Sequence, residues 1–214
     1  MISSCISSRL FRAATRSAII DDIKRKHAIG LADIAYYYFD FRDSKKQDCY
    51  GLLSSLVLQL SVQSDSRSKI LSKLYSDLGP VITPTVNALK ICITDMLSQP
   101  GQGPIYIIVD GLDECPNPPG TRSARGKVLK LIKELVDLQL PNVHLCVASR
   151  PEIDIRKALE ALNILQLSLN DELGQAADIV TYIKSVVNSN NVPDWTEEDE
   201  NLVVKTLSQK ANGM

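Results

Sequence analysis

The chain has 214 residues, with 24 Lys and Arg against 25 Asp and Glu and a formal net charge of −1. A balance this even excludes binding to nucleic acid or a membrane surface through a bulk basic field, which needs clustered, unbalanced cations. With 44% apolar and 23% charged residues the chain also cannot be wholly disordered, and its length suits one large domain with room for a real core.

Residues 1–20 are Ser-rich, carry Arg9, Arg12 and Arg16, and hold no acid before Asp21. That composition fits a mitochondrial transit segment, but it equally fits an ordinary chain start, and a cytoplasmic location is expected. Residues 17–29 read as the end of an amphipathic helix with Ile19, Ile20 and Ile23 on its apolar stripe. Ile34-Ala-Tyr-Tyr-Tyr-Phe-Asp-Phe41 is β-branched, aromatic and almost continuously apolar, which predicts a buried strand. After a charged turn from Arg42 to Asp48, Leu52, Leu53, Leu56, Val57 and Leu60 recur at helical spacing. Helices are predicted over 67–78 and over 84–98, the second introduced by Thr83-Pro84 as N-cap and first turn.

Pro100-Gly-Gln-Gly-Pro104 breaks the chain before the most apolar short run, Ile105-Tyr-Ile-Ile-Val109, which predicts a central strand. A loop from Pro116 to Gly126 leads to a helix over 125–138 and a second buried strand, Val143 to Ala148. A helix over 153–162, a strand from Ile164 to Leu169 and helices over 173–188 and 196–210 complete the pattern. Strands separated by helical stretches argue for an α/β fold, a parallel sheet covered on both faces.

The chemistry concentrates in Asp110-Gly-Leu-Asp113-Glu114. A hydrophobic strand ending in Asp110 delivers a carboxylate to the carboxyl edge of a parallel sheet, where such folds bind ligands. Three acids within five residues repel one another unless a cation shares the charge, and Mg²⁺ with a nucleotide phosphate does so economically. Acids after a strand also serve as helix caps and solvated turn residues. Other site chemistries lack their residues. Asp110 and Asp113 are separated by two residues, where an aspartyl-phosphate phosphatase wants one; the G-x-G of Gly101 to Gly103 precedes a strand rather than following it; no G-x-S-x-G is present; and His27 and His144 are too few for imidazole-based triads. The five cysteines form no C-x-x-C pair, and the expectation is reduced thiols, Cys92 and Cys146 among the core. No apolar run is long enough to cross a membrane as a helix.

The Asp110-Gly-Leu-Asp-Glu strand end, followed in the next strand by Cys146-Val-Ala-Ser-Arg150-Pro-Glu152, resembles the Walker B and sensor segments of NACHT-type STAND NTPases. Within that group the chain is similar to the nephrocystin-like NACHT modules of fungal signalling proteins. Tyr36 to Arg42, the Leu52–Leu60 helix and Lys210-Ala-Asn-Gly-Met214 fit the same pattern, so the resemblance runs from about Ser17 to Met214. It implies a three-layer P-loop NTPase-like sheet, Mg²⁺ and ATP or GTP as cofactors, and other domains of a longer STAND protein, or related full-length proteins, as partners. Asp110 would hold the metal, Asp113 or Glu114 would orient or activate the attacking water, and Arg150 would sense the γ-phosphate. Arg150 also has a structural reading, pairing with an acid or capping its strand; Asp40 and Arg42 are expected to pair with each other.

One part of the pattern is missing. No G-x-x-x-x-G-K-[ST] loop is present and no glycine precedes Gly30; Leu10-Phe-Arg-Ala-Ala14 stands where the phosphate-cradling loop belongs. The strand before that loop is expected between the Asp110 and Val143 strands, so the sheet should lack its central first strand. Residues 2–8 are too polar to replace it, leaving the sheet to close directly or stay defective. The organisation expected is an atypical segment over 1–16, a partial NACHT core over 17–170 and the start of a helical region over 171–214. Functionally this is a truncated signalling module that binds or hydrolyses ATP poorly alone. The alternatives are a weak Mg-dependent NTPase completed by a partner and an interaction module using an unpaired sheet edge.

Overall fold

A computed structural model of the protein describes residues 3–6, 25–79, 82–118, 123–162, 165–168, 180–181, 183–187 and 196–211. The strands are β1 (Ser3–Ile6), β2 (Asp33–Tyr38), β3 (Ile105–Asp110), β4 (Val143–Ser149) and β5 (Leu165–Ser168). The helices are α1 (Cys49–Ser61), α2 (Asp65–Leu78), α3 (Val86–Leu97), α4 (Ala124–Asp137), α5 (Ile153–Glu160) and α6 (Glu197–Ala211). Of the helix expected over 17–29, residues 25–28 are helical and those before 25 lie outside the described residues; of that over 173–188, residues 180–181 and 183–187 are helical. The chain divides into two compact units, one holding β1 to β5 with α1 to α5 and the other holding α6. No helix among the described residues is long and apolar enough to cross a membrane.

The α/β architecture expected from the sequence is present, with five strands in the order β2-β3-β4-β1-β5. The β2–β3, β3–β4 and β1–β4 pairs are parallel. The sheet closes directly between β3 and β4, one of the two outcomes expected, but the first strand does not belong between them and residues 2–8 are not too polar to supply it. β3 and β4 pair directly, with Ile105 opposite Val143 and Val109 opposite Val147. Ser3–Ile6 runs along the far side of β4, Ser3 opposite Cys146 and Ile6 opposite Ser149. Low β-propensity is overridden there because a strand between two others must satisfy backbone N–H and C=O groups on both sides, and any backbone can supply them.

One face of the sheet carries Ala35, Tyr37, Phe39, Ile107, Val109, Leu145 and Val147 into the main core, opposite Leu52, Leu53, Leu56 and Leu60 of α1, Ile93 and Met96 of α3, and Val128, Leu131 and Ile132 of α4. β2 is an edge strand that alternates rather than burying everything: Ile34 joins Ile108 on the opposite face, while Tyr38 is 39% exposed. Among the described residues four helices begin on side-chain caps, α6 through Thr196, which accepts from Asp199 N at 3.3 Å. Asp48 accepts from Gly51 N at 2.9 Å, Thr85 from Ala88 N at 3.2 Å and Ser123 from Gly126 N at 2.9 Å. The α3 cap is therefore Thr85 and not Thr83, since residues 83–85 stay extended or irregular and the Thr85 hydroxyl meets the first orphan amides.

At the amino end of β2, Arg67 of α2 is only 1% exposed and its Nη2 donates to Asp33 at 2.7 Å. Nε and Nη2 also donate to Gln102 Oε1 at 3.1 and 2.8 Å, which anchors the turn before β3. Arg67 Nη1 is buried without a hydrogen-bond partner, so this charge depends heavily on Asp33. Asp33→Ala should lower the unfolding free energy by about 3 kcal/mol, because it strands a buried cation, whereas Arg67→Met should cost less by removing the charge along with its desolvation. Equilibrium urea unfolding of the two variants checks this, and equal losses would contradict it.

Candidate functional site

The carboxyl edge of the sheet collects the residues singled out by sequence. β3 ends in Asp110, which is 1% exposed. Its carbonyl accepts from Phe39 N at 2.9 Å and its carboxylate Oδ1 accepts from Gly111 N at 2.6 Å. Gly111 turns the chain with a left-handed φ of 68°, and a Cβ there would lie 3.1 Å from the Phe39 carbonyl oxygen. Both facts favour glycine at this point. A 3₁₀ turn, Leu112–Glu114, follows, with buried Leu112 fastening it to the core.

That turn sends its two acids in different directions. Asp113 reaches across to the end of β4, where Oδ1 accepts from Arg150 N at 3.0 Å and from Ser149 Oγ at 3.4 Å. The Arg150 guanidinium closes the pair, Nε to Asp113 Oδ2 at 3.2 Å, with Asp113 5% and Arg150 34% exposed. Glu114 faces the segment after β2 instead, accepting from Phe41 N at 3.4 Å through Oε2. Beside it Arg42 grips Asp40 through Nε and Nη2 at 3.0 and 3.1 Å, and these hydrogen bonds hold the Asp40 carboxyl below the usual carboxylate range.

The structure thus brings Asp113 and Arg150 into contact and leaves Asp110 and Glu114 with separate partners. Among the described residues no three His, Cys, Asp or Glu side chains converge as a metal-ligand set. Backbone amides and one guanidinium receive the three carboxylates along separate directions. A cavity of about 860 Å³ lies among the amino ends of α1, α3 and α4, lined by Asp48, Tyr50, Lys90 and Lys127 among others; none of the four predicted residues lines it. Residues 7–24, where a phosphate loop would stand, lie outside the described residues.

Sequence reasoning missed Arg125. Although it sits in the first turn of α4, it is buried, 8% exposed. Nη2 donates to the Asp113 carbonyl at 2.6 Å, Nε to the Cys115 carbonyl at 2.9 Å and Nη1 to Asp154 of α5 at 3.3 Å. Asn117 shares Asp154, at 2.8 Å. Cys115, its thiol pushed up to about 12 by burial, donates to the Gln47 carbonyl at 3.0 Å. One signal was available: Arg125 falls on the stripe of Val128, Ile132 and Val136, and a cation on an apolar stripe implies a buried acceptor.

Arg125→Met should therefore destabilise the fold by about 3 kcal/mol, since it strands the Asp113 and Cys115 carbonyls and removes the tie to Asp154. Arg150→Met should cost less, because Arg150 N and Ser149 Oγ still donate to Asp113 once the guanidinium is gone. Chemical denaturation of both variants tests the order, and a larger loss for Arg150 would reverse the assignment.

The family model described as Nephrocystin 3, N-terminal, matches residues 14–150. The vegetative incompatibility protein HET-E-1 of Podospora anserina is 26% identical over 204 residues, which is 91% of this chain and 14% of that protein. The chain therefore spans only a small part of the relative's length. Among solved structures, the Aeropyrum pernix ORC1 protein in complex with DNA is 14% identical, with 96% of this chain and 53% of that one covered at a TM-score of 0.48. Drosophila ORC bound to GC-rich DNA and Cdc6 is 13% identical, with 99% and 74% covered at a TM-score of 0.39. The family match takes in β2, β3, β4 and the Asp110–Glu114 turn, and the chain belongs to the nephrocystin 3 N-terminal family as a NACHT-type module.

Proposed function

We propose that this chain is a signalling module derived from a nucleotide-driven switch, retaining the Walker B and sensor positions but not competent to load Mg²⁺-ATP or Mg²⁺-GTP by itself. In this reading Asp110 is the metal position, Asp113 and Glu114 the acids that would act on water, and Arg150 the γ-phosphate sensor. The domain organisation follows the same reading: a partial nucleotide-binding core over 17–170 and the start of a helical region over 171–214.

The observation that carries the proposal is the Asp113–Arg150 pair, Nε to Oδ2 at 3.2 Å. The acid meant for water and the cation meant for phosphate neutralise each other. The residues present do not fit a bound Mg²⁺-triphosphate. Asp110 belongs to no group of three His, Cys, Asp or Glu side chains among the described residues, and the sequence before Gly30 has no glycine to bring backbone amides close to a phosphate. Lysine at the phosphate loop works as a compact charge against close backbone, a role that Arg12 does not reproduce. Phosphate contacts therefore have to come from another part of a longer protein or from a related full-length one.

Isothermal titration of the 214-residue chain with Mg²⁺-ATP and Mg²⁺-GTP tests the reading. The expected outcome is no saturable binding below about 1 mM, which corresponds to binding weaker than about 4 kcal/mol. Micromolar binding that is lost in Asp110→Ala would overturn it, because it would show a working nucleotide site.

A further inference from the structure

One edge of the sheet is β2, and its backbone faces two ways. Asp33 N and Phe39 N donate to Pro104 and Asp110 of the β3 side at 2.9 Å, so the odd-numbered residues serve the ladder. Ile34 and Tyr36 point their N–H and C=O groups outward. An outward row of this kind is a template for adding another strand.

Those groups are met by two side chains of α1 and its C-terminal turn. Gln63 Oε1 accepts from Ile34 N at 2.9 Å, and Gln63 Nε2 donates to Ile34 O at 2.7 Å. Gln59 repeats the arrangement one step along, accepting from Tyr36 N at 3.0 Å and donating to Tyr36 O at 2.8 Å. Each primary amide thus presents one donor and one acceptor, as a residue of a neighbouring strand does. The spacing matches: residues four apart in a helix rise by about 6.0 Å, and residues two apart in a strand by about 6.6 Å. The remaining amide protons are also used, Gln59 Nε2 on Ser55 Oγ at 2.9 Å and Gln63 Nε2 on the Gln59 carbonyl at 2.6 Å, which locks both rotamers.

The segment under this cover is hazardous. Ile34-Ala-Tyr-Tyr-Tyr-Phe39 is six residues without a charge, proline or glycine, all but Ala35 strong strand formers. It carries no lysine or proline, the usual devices against edge pairing. Leu58 and Val62, adjacent to the two glutamines in sequence, are 60% and 77% exposed and would add apolar contact to any strand docked there.

The geometry points to Gln59 and Gln63 as a two-residue strand surrogate that closes this edge against a second copy of the chain. Without them, β2 of one copy pairs with β2 of another about a two-fold axis, each edge supplying the other's missing partners.

The test compares the wild-type chain with Gln59→Met, Gln63→Met and the double variant, in which side-chain length is kept and amide pairing is lost; Gln59→Asn, too short to reach, is a polar control. Amide exchange is followed by NMR and mass by light scattering across a concentration series. In the wild type, Ile34 and Tyr36 amides are expected to be protected like their ladder neighbours Ala35 and Tyr37. In the folded double variant at low concentration, Ile34 and Tyr36 should exchange at least about tenfold faster while Ala35 and Tyr37 keep their protection. At higher concentration the same variant should form dimers and larger species, and Gln59→Asn should lose protection at Tyr36 alone. A folded double variant that stays monomeric at every concentration overturns the inference, with or without a change in exchange. Should the double variant fail to fold, the wild-type and single-variant exchange decides: unprotected Ile34 and Tyr36 amides in the wild type overturn it, and site-by-site loss of protection with association in the singles supports it.

Discussion

Each strand in a parallel sheet leaves two rows of backbone donors and acceptors that must be met on both sides, and the arrangement of this protein follows from how each row is met. An orphaned buried group costs roughly 1–3 kcal/mol, so a few of them would consume a domain's whole stability of about 5–15 kcal/mol. β3 and β4 satisfy each other. The far side of β4 takes Ser3–Ile6, a segment with little side-chain reason to be a strand. The outward groups of β2 at Ile34 and Tyr36 take two glutamine amides. The supplier differs each time, but the demand is the same backbone demand.

The same principle governs the carboxyl edge, where the groups to be satisfied are charges. Three acids at the end of β3 raise one another's energy if they face a common point. Here Asp110 turns to Gly111 N, Asp113 to the β4 terminus and Glu114 to Phe41 N. Gly111 makes this divergence possible, because a left-handed residue directly after the strand starts the 3₁₀ turn that aims Asp113 and Glu114 apart. Arg125 then fixes the turn from behind through the Asp113 and Cys115 carbonyls.

Much of this was legible in the sequence. Hydrophobic runs located β3 and β4, helical periodicity located α1 to α5, and Asp110 was placed at a strand end because five apolar residues lead to it. Asp40 and Arg42 pair as two residues so close in the chain readily do. What escaped has a common cause. Ser3–Ile6, Gln59, Gln63 and Arg125 act through backbone partners far away in sequence, and neither hydropathy nor spacing records where a backbone amide will be left over. The first strand was misplaced for a related reason: sheet order is a property of pairing partners, and the apolar pattern of β3 and β4 is the same whether they touch or not. Asp113 and Arg150 were named separately for chemistry; their meeting became visible only when β3 and β4 lay side by side.

The two arginines at this edge are held to different degrees. Arg150 is about a third exposed, and the Asp113 it holds keeps two other donors, Arg150 N and Ser149 Oγ, if the guanidinium leaves. Any anion that reaches it has little to displace. Arg125 is buried against two carbonyls and Asp154, and moving it would leave both carbonyls without this donor. A ligand biases a conformational equilibrium only by its differential affinity for the two states, so the group that moves must be held weakly and the frame around it strongly. On the switch reading proposed above, movement at this edge would start at the tip of β4, with Arg150 leaving Asp113 while the turn beneath and the tie from α4 to α5 stay in place.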